Sequence, residues 1–207
     1  MFQVNTDLED EVDNHFYQTF GMKKLEEGHM VSYCRWEIKH IITVQHPQSV
    51  HHTNGMVGSW TNWDLSDFGK HQAGLIAEKL SKELNGRSVK LFSSDLKRAV
   101  QTARILGDKL SVQPILKTEL RERNLWSCCG QSVTWLKENL ECEEKTVDDK
   151  LFSDAESRRE GWQRLFPFYE TVMLSEDKWT IIVSHGDLLS IWNAMFMKLP
   201  VESLNNC

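Results

Sequence analysis

Two short apolar segments that each end at a histidine constrain this chain more than any other feature. The first, Ile41–Val44, runs into Gln45 and then His46-Pro47, and the second, Trp179–Val183, runs through Ser184 into His185. Runs rich in β-branched residues that end at polar or breaking residues are typical of buried strands. Proline cannot continue a central strand because it has no N–H to donate. Open α/β sheets bind ligands at the carboxyl ends of their strands, so we expect both imidazoles at one edge of one sheet.

Strand-like and helix-like segments alternate between these two runs. Further strands are expected at 89–92 and 114–120, and helices at about 66–84, from the cap signal Ser93-Ser94-Asp95 to about 110, at 133–139, at 154–174 and at 187–198. Ser66 is the expected N-cap of the first helix, and Arg98 is expected in the first turn of the second. The alternation predicts an α/β fold, a three-layer α/β/α sandwich around a mostly parallel central sheet.

The chain divides at about residue 40. Residues 40–207 carry the α/β pattern and form the expected catalytic domain. Residues 1–39 combine an acidic stretch, an aromatic cluster at 15–20 and a charged stretch, which we interpret as an N-terminal extension of unknown role. A loose helix and a partly ordered arm are both compatible with its composition.

Composition excludes several classes of protein. The net charge is −6 and no basic run occurs, which argues against a nucleic-acid partner. The five cysteines are odd in number and contain no CxxC pair, so they indicate reduced thiols rather than a disulfide framework or a zinc site. No basic, apolar leader and no apolar run of about 18 residues is present, so we expect a cytoplasmic protein without membrane contact; a homodimer is possible.

The polar groups expected at the strand ends and helix starts suit a phosphoryl group. They are His46, Arg98, Glu122 and His185, with Gln45 and His52 beside them. A GxSxG elbow and a Walker loop are both missing from the sequence. Metal binding is disfavoured because His51 and His52 are adjacent, and neighbouring side chains in a strand or loop tend to diverge.

Each of these groups has a plausible chemical role. Phosphoryl transfer mainly requires that the reacting groups are positioned and that charge on the phosphoryl oxygens is neutralised. A neutral imidazole can attack phosphorus, and it is available at neutral pH. Glu122 is the candidate proton donor to the leaving alkoxide and afterwards the base that activates water.

The same residues resemble the motifs of the histidine phosphatase superfamily, which includes the cofactor-dependent phosphoglycerate mutases. That family has Arg-His-Gly-x-Ser/Thr after a strand, a Gly/Ser–Trp loop with Leu-Thr/Ser-x-x-Gly, then Ser-x-Leu-x-Arg-Ala-x-x-Thr-Ala, Leu-x-Glu and Ser-His-Gly. The corresponding segments, in the same order, are Gln45-His46-Pro47-Gln48-Ser49, Gly58-Ser59-Trp60, Leu65-Ser66-Asp67-Phe68-Gly69, Ser94-Asp95-Leu96-Lys97-Arg98-Ala99-Val100-Gln101-Thr102-Ala103, Leu120-Arg121-Glu122 and Val183-Ser184-His185-Gly186. The resemblance covers about residues 40–195 and implies the phosphoglycerate mutase-like fold.

The resemblance also implies roles for individual residues. It implies His46 as the phosphorylated nucleophile, Glu122 as acid and base, and His185 as a catalytic residue that contacts the phosphate. It implies no cofactor and no metal. The phosphate-binding set expected from these motifs and their neighbours is Gln45, His52, Ser59 and Arg98.

Two departures from the family pattern affect the expected activity. The family arginine is replaced by Gln45 and the glycine by Pro47. Loss of one charge-assisted contact costs roughly 1.5–3 kcal/mol. His52, if it is protonated when phosphate binds, restores part of that charge.

The sequence is therefore compatible with three functions. We favour a phosphomonoester hydrolase that acts on a small phosphorylated metabolite or a phosphoprotein. Glu122 and His185 are 63 positions apart (185 − 122), and the glycolytic mutases, as a family, carry a longer insertion there. The alternatives are a phosphoglycerate mutase-type phosphotransferase and a degenerate homologue that binds a phosphorylated ligand without turnover.

Overall fold

The computed structural model describes residues 3–7, 23–26, 30–34 and 39–205. The chain forms two compact units, Met1–Lys39 and His40–Cys207.

The described residues of the first unit form a three-stranded antiparallel sheet. Its strands are β1 (Gln3–Asp7), β2 (Lys23–Glu26) and β3 (Met30–Cys34), in the order β1-β3-β2. This differs from the expected loose helix or partly ordered arm. Within β3, Val31-Ser32-Tyr33 alternates a β-branched and an aromatic residue with a polar one, which is the period-2 pattern of a strand. The aromatic cluster at 15–20 lies outside the described residues.

The second unit is built on a parallel sheet of four strands. They are β4 (His40–Gln45), β5 (Lys90–Ser94), β6 (Ile115–Lys117) and β7 (Trp179–Ser184), in the order β4-β7-β5-β6. In the register of β4 and β7, Gln45 lies opposite Ser184. The next residue of each chain segment is a histidine, so His46 and His185 leave the same edge of the sheet on neighbouring strands.

Helices cover both faces of this sheet, as the alternating sequence pattern predicts. The helices of this unit are α1 (His51–Asn54), α2 (Asp67–Leu84), α3 (Lys97–Leu110), α4 (Val133–Asn139), α5 (Arg158–Leu174) and α6 (Gly186–Phe196). One core lies between the sheet and α2 with α3 and includes Leu91 and Ile181, while the other lies against α5 and α6 and includes Phe92 and Ile182. Consecutive strand residues thus enter opposite cores, as the strand period of 2 requires. The predicted three-layer α/β/α sandwich is confirmed.

The predicted cap of α2 is confirmed, whereas the predicted start of α3 is wrong. The Ser66 hydroxyl accepts a hydrogen bond from the amide of Gly69 at 3.0 Å. Helix α3 begins at Lys97 rather than within Ser93-Ser94-Asp95, and its N-cap is Leu96. The Asp95 carboxylate binds Arg121 instead, through two hydrogen bonds of 2.7 and 2.6 Å. Asp95, a residue type that often caps helices, therefore forms a tertiary contact instead of a cap.

Two further elements differ in extent from the sequence prediction. Helix α5 begins after Ser157, which forms a capping box with Glu160, rather than at 154. The strand expected over 114–120 is limited to β6, which is followed by a 3₁₀ turn at Thr118–Leu120. No helix within the described ranges combines the length and apolar character needed to cross a bilayer.

Candidate active site

The two strand-end histidines converge on one guanidinium. The rings of His46 and His185 have centroids 5.0 Å apart, and Nε of Arg98 lies 3.0 Å from Nε2 of His46. All three side chains are buried, with exposed fractions of 6%, 0% and 1%. The sheet edge, together with the first turn of α3, therefore assembles the cationic group that the sequence predicts.

The hydrogen bonds of His46 define its tautomer. Nδ1 lies 2.9 Å from the carbonyl oxygen of Pro47, which can only accept, so Nδ1 carries the proton. The lone pair is then on Nε2, which accepts from Arg98. Burial and the neighbouring Arg98 charge lower the pKa of His46 to about 3, so the ring is neutral and Nε2 carries no proton.

Arg98 is held rigidly by the loop that follows α1. Its two terminal nitrogens donate to the carbonyl oxygens of Thr61 and Ser59, both at 2.8 Å. Burial lowers the pKa of Arg98 to about 10, which still leaves the guanidinium charged at neutral pH. The bonds fix the direction in which the remaining N–H groups point.

His185 presents an unpaired nitrogen. Its Nε2 lies 2.9 Å from the Ser94 hydroxyl at the end of β5, while Nδ1 is buried without a hydrogen-bond partner among the described residues. Burial, followed by the charge of Arg98, places the pKa of His185 well below its usual range. An unsatisfied buried polar atom is unfavourable unless a ligand or ordered water completes it, so Nδ1 is a candidate contact for a bound anion.

Glu122 is placed at the N-terminus of α6. One carboxylate oxygen accepts from the amides of Arg123 and Leu188 at 3.0 and 3.2 Å, and the other accepts from the amide of Asp187 at 3.4 Å. Burial and the negative charge of Asp187 nevertheless raise the pKa of Glu122 to about 7. A carboxyl group with that pKa can both donate and accept a proton near neutral pH.

A buried ion-pair network holds Asp187 beside Glu122. Arg123 donates from Nε to Asp187 at 3.0 Å and forms a two-bond pair with Glu144 at 2.7 and 3.0 Å. Arg123 and Glu144 are 3% and 8% exposed. The sequence motifs did not single out this network, because its members are far apart along the chain and match no local pattern.

The adjacent histidines His51 and His52 converge, contrary to the expectation that they diverge. Their ring centroids are 4.0 Å apart, and they lie 6.0 and 5.7 Å from the ring of His46. The segment forms the short helix α1 rather than a strand or an open loop, and both rings turn toward the sheet edge. His51 is a site residue that the sequence analysis missed, and its position next to His52 was the available indication.

The remaining predicted residues occupy different positions relative to the cavity. Gln45 lies over the start of α6, with its amide nitrogen 3.3 Å from the point where a Cβ on Gly186 would stand. The Ser59 hydroxyl donates to the carbonyl of Arg123 at 2.8 Å and accepts from the amide of Leu125 at 2.9 Å. Both residues line the cavity, and the contact of Ser59 with phosphate stays a prediction.

The cavity enclosed by these groups has a volume of about 280 Å³. It is lined by Gln45, His46, His51, His52, Val57, Gly58, Ser59, Arg98, Glu122, Arg123, Leu125, Gly186 and Asp187. Across residues 39–205, no cluster of three or more metal-ligating side chains is placed to hold an ion. The arrangement combines a neutral imidazole, a fixed guanidinium and a titrating carboxyl group, which together suit phosphoryl transfer.

Known proteins with similar sequences include phosphatases and mutases. Residues 41–207 match the model of the histidine phosphatase superfamily (branch 1). A glucosyl-3-phosphoglycerate phosphatase of Mycolicibacterium vanbaalenii is 28% identical over 180 residues, which cover 80% of this chain and 77% of that protein. A 2,3-bisphosphoglycerate-dependent phosphoglycerate mutase of Cytophaga hutchinsonii is 24% identical over 176 residues, covering 79% of this chain and 80% of the mutase.

A solved structure supports the same relationship. The mycobacterial glucosyl-3-phosphoglycerate phosphatase in complex with VO3 superimposes with a TM-score of 0.71 at 26% identity, covering 80% of this chain and 85% of that chain.

Proposed function

The chain belongs to the histidine phosphatase superfamily, and we propose that it hydrolyses phosphate monoesters through a phosphohistidine formed on His46. The observation that carries this proposal is the pairing of two groups at one cavity. Nε2 of His46 carries no proton and accepts a hydrogen bond from Arg98, and Glu122, with a pKa of about 7, lines the same cavity.

In the first step, Nε2 of His46 attacks phosphorus and the ester P–O bond breaks. The phosphoryl group enters between Nε2 and Arg98, so the Arg98 N–H that now donates to the imidazole donates to a phosphoryl oxygen instead. Protonated Glu122 gives its proton to the leaving alkoxide oxygen. The Nδ1–H group of His46 continues to donate its hydrogen bond to the Pro47 carbonyl oxygen. This bond stabilises the positive charge that the ring acquires.

In the second step, the Glu122 carboxylate accepts a proton from water as the water oxygen attacks phosphorus. The P–N bond breaks, inorganic phosphate leaves, and His46 and Glu122 return to their starting protonation states. We expect Nδ1 of His185 to donate a hydrogen bond to a phosphoryl oxygen in both steps, because this buried atom has no partner within residues 39–205.

The cavity size and the relatives favour a small phosphorylated metabolite over a phosphoprotein as the substrate. A volume of about 280 Å³ holds a phosphoryl group and a small leaving group.

The thiols of Cys128, Cys129 and Cys142 are free, which supports the cytoplasmic location that we propose for this activity.

Hydrolysis of p-nitrophenyl phosphate tests the proposal. We expect turnover in the wild type, loss of turnover in His46→Ala and retention in the matched control His71→Ala, which changes an exposed histidine on α2. Turnover that appears only in Gln45→Arg would instead identify a binding protein that lacks one cation.

The mutase alternative is tested on the phosphorylated enzyme. After labelling with a 32P-phosphate ester, we expect water to release the label from the protein as inorganic phosphate. Transfer of the label to added phosphoglycerate, faster than release into water, would favour the activity named for the Cytophaga hutchinsonii relative.

A further inference from the structure

The cavity offers few fixed positive charges to a phosphoryl dianion. Arg98 already donates to His46, Ser59 and Thr61, which occupies one N–H on each of its three nitrogens. Arg123 also lines the cavity, but its donors are committed to Glu144, Asp187 and the carbonyl of Glu156. Gln45 can donate a hydrogen bond but carries no charge. A bound dianion therefore needs a further source of positive charge.

Ser49 distinguishes between the two imidazoles of α1. Its backbone amide donates to Nδ1 of His52 at 3.1 Å, so Nδ1 must keep its lone pair and His52 is held neutral with its proton on Nε2. The Ser49 hydroxyl lies 2.5 Å from Nδ1 of His51. A hydroxyl can rotate to accept as well as donate, so this contact tolerates a proton on Nδ1 of His51.

The opposite edge of the His51 ring lies over Gly58 at the cavity, where the absence of a side chain on the glycine leaves room for Nε2. Nε2 of His51 lies 2.7 Å from the point where a Cβ on Gly58 would stand, and both residues line the cavity. His51 can thus carry protons on both nitrogens, with Nδ1–H directed at Ser49 and Nε2–H at a bound anion. His52 cannot do so without losing the hydrogen bond from Ser49.

We propose that His51 takes up a proton when a phosphoryl dianion enters the cavity, while His52 remains neutral and donates from Nε2. The proposal rests on the proposed function, because it assigns the missing positive charge of that site to a titrating residue. It also revises the expectation from sequence, which gave this role to His52.

The surroundings of His51 explain why the proton arrives with the ligand and not before it. In the empty cavity, burial, with smaller contributions from the neighbouring His52 and Arg98, lowers the pKa of His51 to about 4. The groups that face it from the packed elements are His46 after β4, Arg98 on α3, Glu122 and Arg123 after β6, and His185 and Asp187 at the start of α6. A dianion placed among them reverses the sign of the local potential and favours the imidazolium.

Proton counting during anion binding tests the inference directly. Tungstate stays a dianion near neutral pH, so the protein is the source of any proton change. Calorimetric titrations in buffers of different ionisation enthalpy give the number of protons taken up per tungstate bound. The protein should be the Glu122→Gln variant, because an anion also raises the pKa of Glu122 and would add its own proton.

We expect uptake of about one proton at pH 6.5, and a tungstate Kd that rises about tenfold per pH unit above that value. His51→Gln in the same background should abolish both the uptake and the pH dependence. The matched variant His52→Gln, which keeps an N–H donor, should retain the uptake. Ser49→Ala, which removes the acceptor for Nδ1–H, should reduce it.

The outcomes separate this inference from the proposed function. Uptake that persists in His51→Gln and in Ser49→Ala overturns the inference, even if the wild type hydrolyses p-nitrophenyl phosphate. Uptake that depends on His51, in a protein that hydrolyses no ester, supports the inference and rejects hydrolysis. Circular dichroism of each variant confirms that it is folded before the titration.

Discussion

Replacing Glu122 with glutamine should stabilise the protein while it removes the proposed proton donor. The Glu122 carboxyl group is buried and lies beside the negative charge of Asp187. Burial and this charge raise its pKa from the ordinary 4.5 to about 7. A folded-state pKa above the unfolded value means that the folded protein binds more protons between these two values. Stability from this group is therefore full below pH 4.5 and is lost as the pH rises through 7.

The size of the effect follows from the shift. A difference of 2.5 units, at about 1.36 kcal/mol per unit, gives an unfavourable contribution of about 3 kcal/mol at pH 8 and less than about 1 kcal/mol at pH 5. Glutamine has no charge to lose and keeps an oxygen for the amides of Arg123 and Leu188. For a protein of this size, about 3 kcal/mol corresponds to a Tm increase of roughly 6–12 °C.

Thermal unfolding at pH 5 and pH 8 measures this prediction. We expect Glu122→Gln to melt well above the wild type at pH 8 and near it at pH 5, while Glu138→Gln, at an exposed position on α4, changes neither. Activity toward an alkyl phosphate should fall about 10²–10⁴-fold. A Tm difference that is equal at the two pH values, or a lower Tm in Glu122→Gln at pH 8, would refute the reasoning.

Two further substitutions probe the surroundings of the site. Asp187→Asn removes a charge that raises the pKa of Glu122, so the alkaline limb of the pH–rate profile should move to lower pH; an unchanged limb would contradict this. Gly69→Ala places a Cβ 1.8 Å from the carbonyl oxygen of Gln48, so we expect destabilisation of about 2 kcal/mol or more in urea titrations. Gly74→Ala on the same helix meets open space and should be neutral or stabilising; equal effects of the two would contradict a steric cause.

The parts of the fold that the sequence predicts well are those specified by local pattern. The β-branched runs before His46 and His185 and the apolar stripe of α2 identify their elements without tertiary information. The start of α3 was mispredicted because Asp95 has two uses, and the ion pair with Arg121 outcompetes the helix cap. Propensity is a weak prior wherever a side chain has a stronger long-range partner.

The same distinction between local pattern and long-range contacts applies to the site residues. His46, Arg98, Glu122 and His185 could be named in advance because each follows a strand or opens a helix, and parallel strands bring those ends together. His51 was not named, since the direction of its ring depends on a four-residue helix inside a long polar segment. The protonation states were equally inaccessible, because they depend on which nitrogen meets the Pro47 carbonyl or the Ser49 amide.

The two titrating groups of the cavity respond in the same direction to a bound phosphoryl dianion. Negative charge raises the pKa of His51, which becomes protonated, and it also raises the pKa of Glu122, which stays protonated. Both changes favour the first step, in which the site needs a cation for the phosphoryl oxygens and an acid for the leaving group. When the leaving alkoxide takes the proton of Glu122, the carboxylate that remains is the base required for water. The substrate charge thus favours the protonated forms of both His51 and Glu122. The alkaline limit of kcat should therefore lie above the pKa that Glu122 has in the empty cavity.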